Sequence, residues 1–193
     1  MLGPYTAIGN DPLYCPLSQG GAIDASGFKD PATNERYVLY KVDGNSLGHG
    51  GACGNDVAPF APTPLMLQPV DADGVTPTGS AITLLENAGA SDQGIVEAPA
   101  LAKVGDKYVL FFSSNCFAAG HYTLSYAVAN RIAGPYTRAS EPLYATGQDG
   151  LKSPGGADVH TDGVHMVFHG DFGAGRRLYQ AMITMDGNKV VVQ

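Results

Sequence analysis

An internal repeat constrains the fold of this chain more than any other feature of its sequence. The segment GPYT at residues 3–6, followed by PLY at residues 12–14, returns as GPYT at residues 134–137, followed by PLY at residues 142–144. Three hydrophobic segments also stand in equivalent places: YVLY at 37–40, YVLF at 108–111 and HMVF at 165–168. Their starts lie 71 and 57 residues apart, which indicates that one structural unit is used several times.

Each hydrophobic segment follows a turn signal and a second predicted strand. The turns, at residues 30–34, 105–107 and 162–164, are rich in Asp, Gly, Asn and Pro and are typical of β-hairpins. The upstream strands, at residues 21–24, 95–101 and 155–159, each contain an acidic residue. The pattern also predicts outer strands at residues 63–67, 81–85, 122–127 and 177–184.

Repeated all-β units, each with a polar residue near its start, predict a β-propeller, here as a single domain over residues 1–193. In a propeller the first strand of each blade lines the central channel, so the acidic residues would converge. Three blades and a leading fragment fill the chain, whereas propellers close with at least about four blades. We therefore expect either missing blades or closure through a partner. A β-sandwich would share the strand density but would not explain the repeat.

Composition bears on the partners of the chain. An apolar content of 44% with 15% charged residues is typical of a globular protein that buries a core. The formal net charge of -7 and the lack of a basic patch argue against nucleic acid and against an anionic membrane as partners, so a neutral or cationic ligand fits better. No apolar run approaches the roughly 18 residues that span a bilayer, and the first residues do not read as a signal peptide.

Three cysteines, Cys15, Cys53 and Cys116, allow at most one internal disulfide. Cys53 and Cys116 each lie in a loop rich in Gly and Asn just after a predicted strand, so they are the preferred pair. A disulfide would indicate an oxidising compartment, and three free thiols in a cytosolic protein are the alternative. The cysteine spacing does not match a zinc site.

One carboxylate, that of Glu97, lies inside an apolar run. Its neighbours Ile95, Val96, Ala98 and Leu101 should partly desolvate it, which would raise its pKa and suit it to act as a general acid. The alternative from local sequence is a glutamate at the edge of a strand that pairs with one of the 11 basic residues.

The chain resembles glycoside hydrolase family 43. The resemblance is carried by residues 21–28, by the strand and turn at 37–45, by the sequence VEAP at 96–99 and by the GPY boundary at 134–136, together with FFSSNC at 111–116. It covers nearly the whole chain. It implies a partial five-bladed β-propeller, about three blades and a leading fragment, related to arabinanases, β-xylosidases and α-arabinofuranosidases that cleave arabinose- or xylose-containing glycans with inversion.

The resemblance also implies catalytic roles. Glu97 matches the general acid, and Asp24 matches the carboxylate that orients the acid and raises its pKa by like-charge repulsion. The family carries its water-activating base as an Asp on the first blade, upstream of the boundary that residues 3–5 represent. We therefore expect the N-terminal blade and the base to be missing from this chain. Asp11 is better explained as part of a blade connection.

Sugar recognition is predicted for Lys41, Asn45 and Asn115, which lie just past strand ends, and for Arg177 in the last unit. His169 matches a recurrent family histidine. Surface positions, and for His169 a core position, are the alternatives. The family often holds an axial calcium ion or water cluster near a histidine, but Gly156 stands where that histidine would be, so we predict no cofactor and no metal ligand.

The sequence therefore predicts a glycoside hydrolase of the family 43 type, extracellular in its full-length form, with carbohydrate as its substrate and neither nucleic acid nor a membrane as partner. The alternative is a non-catalytic carbohydrate-binding or degenerate propeller. A third reading is a structural fragment that assembles with another chain. The sugar, the linkage and the oligomeric state stay open.

Overall fold

The computed structural model describes residues 3–193. Over that range the chain forms three antiparallel sheets of four strands, one after another along the sequence. The first sheet contains β1 (Ala22–Lys29), β2 (Arg36–Val42), β3 (Leu65–Val70) and β4 (Ile82–Leu85). The second contains β5 (Val96–Val104), β6 (Lys107–Ser114), β7 (Thr123–Ala129) and β8 (Thr137–Arg138). The third contains β9 (Gly155–Val159), β10 (His165–Phe172), β11 (Gly175–Asp186) and β12 (Lys189–Val192).

Each sheet is one repeat unit of the sequence, as a propeller blade should be. In the first two sheets the strands pair in chain order from β1 to β4 and from β5 to β8, and the third follows the same order from β9 to β12. The predicted strands are confirmed, and the turns at 30–34, 105–107 and 162–164 join the first two strands of each sheet. The short strand β8 and the last strand β12 were not predicted.

The second sheet packs between the other two, and the alternation of β6 shows how. Val109 and Phe111 point into a cluster shared with the third sheet, which includes Met166 and Phe168. Tyr108, Leu110 and Phe112 point the other way, into a cluster shared with the first sheet. Because successive side chains of a strand point to opposite faces, a strand that is buried on both faces reads as a continuous apolar run. Burying a side chain of this size stabilises the fold by roughly 1.5–3 kcal/mol.

The two outer faces differ from each other. On the first sheet, Tyr14 of the leading segment stacks on Tyr40 with ring centroids 5.5 Å apart, so the leading segment covers part of that face. On the third sheet, Val167, Leu178 and Met182 are exposed side by side along β10 and β11. The helices within residues 3–193 are 3₁₀ turns of three or four residues, and none has the length and hydropathy needed to cross a bilayer.

The sequence repeat is also a conformational repeat. Gly3 and Gly134 both have positive φ and both precede a cis proline, and in both places the following tyrosine packs against the glycine. The first strand of each sheet carries an extra residue relative to its partner, between Ile23 and Ser26 in β1 and between Glu97 and Ala100 in β5. The pairing of β9 with β10 shifts in the same way beside Gly155. These are β-bulges at equivalent positions in three sheets.

Candidate functional site

The bulges set the position of the two candidate catalytic carboxylates. At each bulge one residue adopts the left-handed conformation: Asp24 with φ 57°, Ala98 with φ 50° and Gly156 with φ 58°. The residue before it pairs with a residue of the neighbouring strand: Ile23 with Lys41, Glu97 with Ser113, and Gly155 with His169. Left-handed backbone is uncommon for residues other than glycine, so Asp24 and Ala98 are held there by the sheet around them.

The Glu97 carboxylate accepts two hydrogen bonds from buried donors. Lys41 Nζ lies 3.1 Å from its Oε2, and the Tyr122 hydroxyl lies 2.6 Å from its Oε1. The Glu97 side chain keeps 15% of its surface exposed, so it is fixed on the protein side while one side remains open to solvent. Burial and the charge of Glu97 raise the pKa of Tyr122 far above its usual value, which keeps the hydroxyl protonated as a donor.

Asp24 lies directly beside Glu97, although the two come from different sheets. The Ala98 N–H, from the residue after Glu97, donates to Asp24 Oδ2 over 2.9 Å. Desolvation of the carboxylate raises the pKa of Asp24, the Ala98 N–H opposes that rise, and the negative charge of Glu97 adds to it. The two acidic residues that the sequence singled out are therefore neighbours in one charged group.

Lys41 connects this group to a third carboxylate. Its side chain is 0% exposed, and its Nζ also lies 3.5 Å from Asp43 Oδ1. A fully buried ammonium is stable only when it is paired and hydrogen-bonded, and here both partners are carboxylates. Lys41 was predicted as a sugar ligand because it lies at a strand end. The structure places its ammonium between Glu97 and Asp43, within the protein.

A wall of aromatic and small residues from the third sheet completes the site. The Tyr122 ring stacks on His169 with centroids 6.0 Å apart. Gly155 lies against Tyr122, where an added Cβ would overlap the ring, and the Gly156 N–H donates to Ser113 Oγ over 2.8 Å. Burial first, and then the positive charge of Arg176, lower the pKa of His169, so its imidazole is neutral near pH 7.

Gly156, at the position where the family's axial histidine is expected, lies against the ring of His169. A Cβ on Gly156 would lie 2.7 Å from Cδ2 and 2.8 Å from Nε2 of His169, so the His169 ring fills the space next to residue 156. His169 Nδ1 is buried and has no hydrogen-bond partner within the described residues. No group of three His, Cys, Asp or Glu in residues 3–193 has an arrangement that could hold a metal ion.

Two of the predicted sugar ligands lie in loops that a disulfide joins. Cys53, in the loop after β2, is bonded to Cys116, in the loop after β6, which confirms the preferred pairing, while Cys15 is free and exposed. Asn45 donates from Nδ2 to the Cys53 carbonyl over 3.1 Å, and its buried Oδ1 has no partner among the described residues. Asn115 precedes Cys116, has φ 71° and is half-buried.

Arg177 lies farther from the carboxylates, in the hairpin between β10 and β11. It is exposed, and its guanidinium carbon lies 3.4 Å from the centroid of the Phe172 ring. Among the predicted residues, the structure thus brings Lys41 and Glu97 into direct contact and places Asp24 against the backbone next to Glu97. It places His169 one ring away, behind Tyr122, and distributes Asn45, Asn115 and Arg177 over the surrounding loops.

One expectation about convergence is wrong. The acidic residue of the third inner strand, Asp158, does not join Asp24 and Glu97: it is exposed, pairs with Val167, and its Oδ1 accepts the N–H of Val159. The reason is the bulge. The equivalents of Asp24 and Glu97 in the third sheet are Gly156 and Gly155, so this sheet has no side chain at either position.

Sequence reasoning also missed two residues of the site. Tyr122 was assigned to an outer strand, and Ser113 was counted only as part of a strand end. Ser113 could have been found from register, since it is the partner of Glu97 and the equivalent of Lys41 and His169. Tyr122 has no such signal, because it lies just before β7 and reaches Glu97 only through the tertiary fold.

The fold and the site together define a class: an open β-propeller of three blades with a carboxylate pair on the inner strands of two of them. The family model for glycosyl hydrolases family 43 matches residues 1–183, and the chain belongs to that family. The resemblance seen in the sequence is thereby confirmed. Comparison with curated protein sequences returned no match.

Solved structures of related fold support the partial propeller. A thermostable family-43 glycoside hydrolase has a TM-score of 0.70 and 22% identity, over 89% of this chain and 57% of that one. An endo-1,4-beta-xylanase from Bacteroides thetaiotaomicron has a TM-score of 0.72 and 19% identity, over 99% of this chain and 63% of that one. An endo-arabinase from the same organism has a TM-score of 0.70 and 18% identity, over 97% of this chain and 64% of that one. The chain therefore spans less than two thirds of each of these relatives.

Proposed function

We propose that this chain carries the acid half of a family 43-type active site, which acts on arabinose- or xylose-containing glycans with inversion. The observation that carries the proposal is the contact between the two inner strands: the backbone next to Glu97 donates to Asp24, and Lys41 holds the Glu97 carboxylate from the protein side. The similar structures include a xylanase, an arabinase and a xylosidase, which supports the proposed substrate class.

In this proposal Glu97 protonates the glycosidic oxygen as the bond breaks. Tyr122 and Lys41 orient the carboxyl group, and once the proton has left, the Lys41 ammonium compensates the new negative charge. Such positioning keeps the proton within hydrogen-bond reach of the leaving oxygen, which general acid catalysis requires. Asp24 is the orienting carboxylate. No cofactor and no metal ion take part in the proposed reaction.

An inverting site also needs a base about 6.5–9.5 Å from the acid, with a water molecule between them. Within residues 3–193 the other carboxylate bonded into the group is Asp43, which is held by the same Lys41 ammonium as Glu97. We propose that the base comes from outside these residues. The sugar would then contact Asn45, Asn115, His169 and Arg177, while Lys41 acts through Glu97. The disulfide supports an extracellular location.

The test is substitution of the proposed acid in a form of the protein that also supplies the base, with hydrolysis of arabinan, xylan and aryl pentosides as the readout. Glu97→Gln should lower kcat about 10²–10⁴-fold on natural linkages, and much less on aryl pentosides whose leaving group needs no proton. The exposed Glu141→Gln is the matched control and should be unchanged. Equal losses on both substrate types would overturn the role of Glu97 as a proton donor.

A second candidate is a non-catalytic carbohydrate-binding propeller. It is favoured by the fully buried Lys41, which neutralises Glu97 and Asp43 as a structural ion group would. Binding of oligosaccharides without any turnover by the chain, together with turnover by a longer form that supplies a further Asp, would support a missing base. Binding without turnover in both forms would support the non-catalytic reading.

A further inference from the structure

Two of the five arginines of the chain are adjacent, Arg176 and Arg177, at the start of β11 and on the same end of the molecule as Glu97. Glu97 pairs with Ser113, near the end of β6. The end of β10, which is the equivalent strand of the third sheet, leads into the hairpin that carries the arginines. Glu97 and the arginines therefore lie at the same end of the molecule. This local basic pair contrasts with the net charge of -7 of the whole chain.

A series of contacts links the arginines to the carboxylate site. Tyr122 bonds Glu97 and stacks on His169, and the charge of Arg176 is close enough to His169 to lower its pKa. Arg176 also lies over the ring of Phe117, at 5.7 Å from its centroid. Phe117 directly follows Cys116, so the disulfide fixes its loop.

The arginines are paired with exposed aromatic rings. Phe117 is 49% exposed and Phe172 is 54% exposed, and the guanidinium carbon of Arg177 lies over the Phe172 ring. Phe172 and Arg177 lie on the hairpin face that also carries Phe168 and Tyr179, whose side chains stack on each other with ring centroids 5.6 Å apart. Exposed rings of this kind bind the apolar faces of sugars, and stacking leaves the N–H donors of the guanidinium edge free.

The charge of this pair is only partly compensated. Arg176 Nε lies 3.9 Å from Asp171 Oδ1, a long ion pair at the surface. Arg177 has no ion-pair partner within residues 3–193. A guanidinium fork matches a carboxylate in two parallel hydrogen bonds. Arg176 and Arg177 are successive residues of β11, so their side chains leave opposite faces of the hairpin. We propose that the Arg177 guanidinium, held on Phe172, binds the carboxylate of a uronic acid residue of the glycan chain, and that Arg176, held on Phe117, adds positive charge.

This inference rests on the proposed function, because it names the substrate of the same site: a neutral pentose-containing chain that carries an acidic sugar. The neutral part would lie at Glu97, and the carboxylate would meet the Arg177 guanidinium at the same end of the molecule. Because the net charge of the protein is negative, an acidic sugar would be disfavoured elsewhere on its surface. The arginines would therefore determine which position of the glycan can carry the acidic sugar.

The experiment compares one oligosaccharide in two forms. The probe is a xylo-oligosaccharide with one glucuronic acid branch, and its methyl ester is the matched neutral form. Binding is measured by calorimetry with Glu97→Gln protein so that the probe stays intact, and hydrolysis is measured with a longer form of the protein that supplies the base. The acid should bind about 5- to 10-fold more tightly than the ester at low salt, and the ratio should fall as salt is added.

Arg177→Gln should bring the ratio of the two affinities below about two, and Arg176→Gln should lower it less because Asp171 already competes for that guanidinium. Arg36→Gln is the control. It removes an exposed arginine at the start of β2, the end of that strand away from Lys41, and it should leave the ratio unchanged. Circular dichroism confirms that each variant is folded.

The outcomes separate the two proposals. Equal binding of acid and ester overturns the uronic acid subsite, whether or not hydrolysis is seen. Preference for the acid that Arg177→Gln abolishes supports the subsite, and if a longer form that supplies the base then shows no hydrolysis, the catalytic role fails alone. Failure to bind either form overturns both.

Discussion

The two junctions between sheets are built from different chemistry. Between the first and second sheets the apolar cluster is supplemented by polar and covalent links, namely the disulfide, the Lys41–Glu97 ion pair, the Asp24–Ala98 hydrogen bond and a buried bond from Tyr108 to Asp30. Between the second and third sheets the apolar cluster is supplemented by stacked rings, with Tyr144 on Phe168 at 4.8 Å and Tyr122 on His169, and by the hydrogen bond from the Gly156 N–H to Ser113.

The difference explains where the site lies. Carboxylates can be held close together only where buried donors compensate them, and the first junction supplies those donors. The second junction supplies rigid rings, which keep Tyr122 against Glu97. The first junction thus compensates the charge of the carboxylates, and the second fixes the position of Tyr122 against Glu97. Each role can be tested by substitution.

The largest expected effect is on the first junction, where the Cys53–Cys116 bond closes a separation of 63 residues. Replacing both cysteines with Ala should lower the free energy of unfolding by about 4 kcal/mol, because the unfolded chain regains loop entropy. Urea unfolding measures it. Cys15→Ser, at the exposed free thiol, is the control and should have no effect; an unchanged midpoint in the double variant would show that the polar and apolar contacts alone hold the junction.

At the second junction, Gly155→Ala tests whether close packing aligns Tyr122. The new methyl group would overlap the Tyr122 ring, so we expect a loss of about 1–3 kcal/mol in the free energy of unfolding, as for overpacked cores, together with lower activity. Gly27→Ala is the control, since its Cβ would meet no atom within 4 Å. If both variants unfold alike, Tyr122 has room to move and the alignment argument fails.

The smallest effect is expected for Tyr108→Phe, which leaves the buried Asp30 without the hydroxyl that donates to its Oδ2 over 2.7 Å. The loss should be about 1–2 kcal/mol. Burial, and then the bond to Asp30, raise the pKa of Tyr108 to about 12, above the value of about 10 for an unfolded tyrosine.

A tyrosine pKa that is raised on folding gives stability that is complete below about pH 10 and is lost as the pH rises to about 12. Urea unfolding of the unmodified chain should weaken across that window, and Tyr108→Phe should weaken less. Tyr179→Phe is the control, because that hydroxyl has no hydrogen-bond partner within residues 3–193. An identical pH dependence in all three proteins would assign the alkaline loss to other groups.

Much of the fold could be predicted because it repeats. Alternating apolar segments and turn residues located ten of the strands, and a motif located Glu97 and Asp24. Short pairings such as β8 could not be predicted, since two residues carry no periodicity. Tyr122 was missed because its bond to Glu97 spans 25 residues and depends on how a loop returns. Asp158 was misplaced because spacing alone does not reveal the extra residue in β9.

The bulge shared by the three sheets has a consequence for how a duplicated unit diverges. The same backbone position presents a carboxylate at Asp24, a methyl group at Ala98 and a hydrogen atom at Gly156, and in each sheet the ladder of strand hydrogen bonds resumes beyond it. The residues that determine the strand pairing are therefore different from the residue that determines which chemical group the bulge presents. A copy of the unit can gain or lose a reactive group at this position while its neighbours continue to specify the same strand pairing.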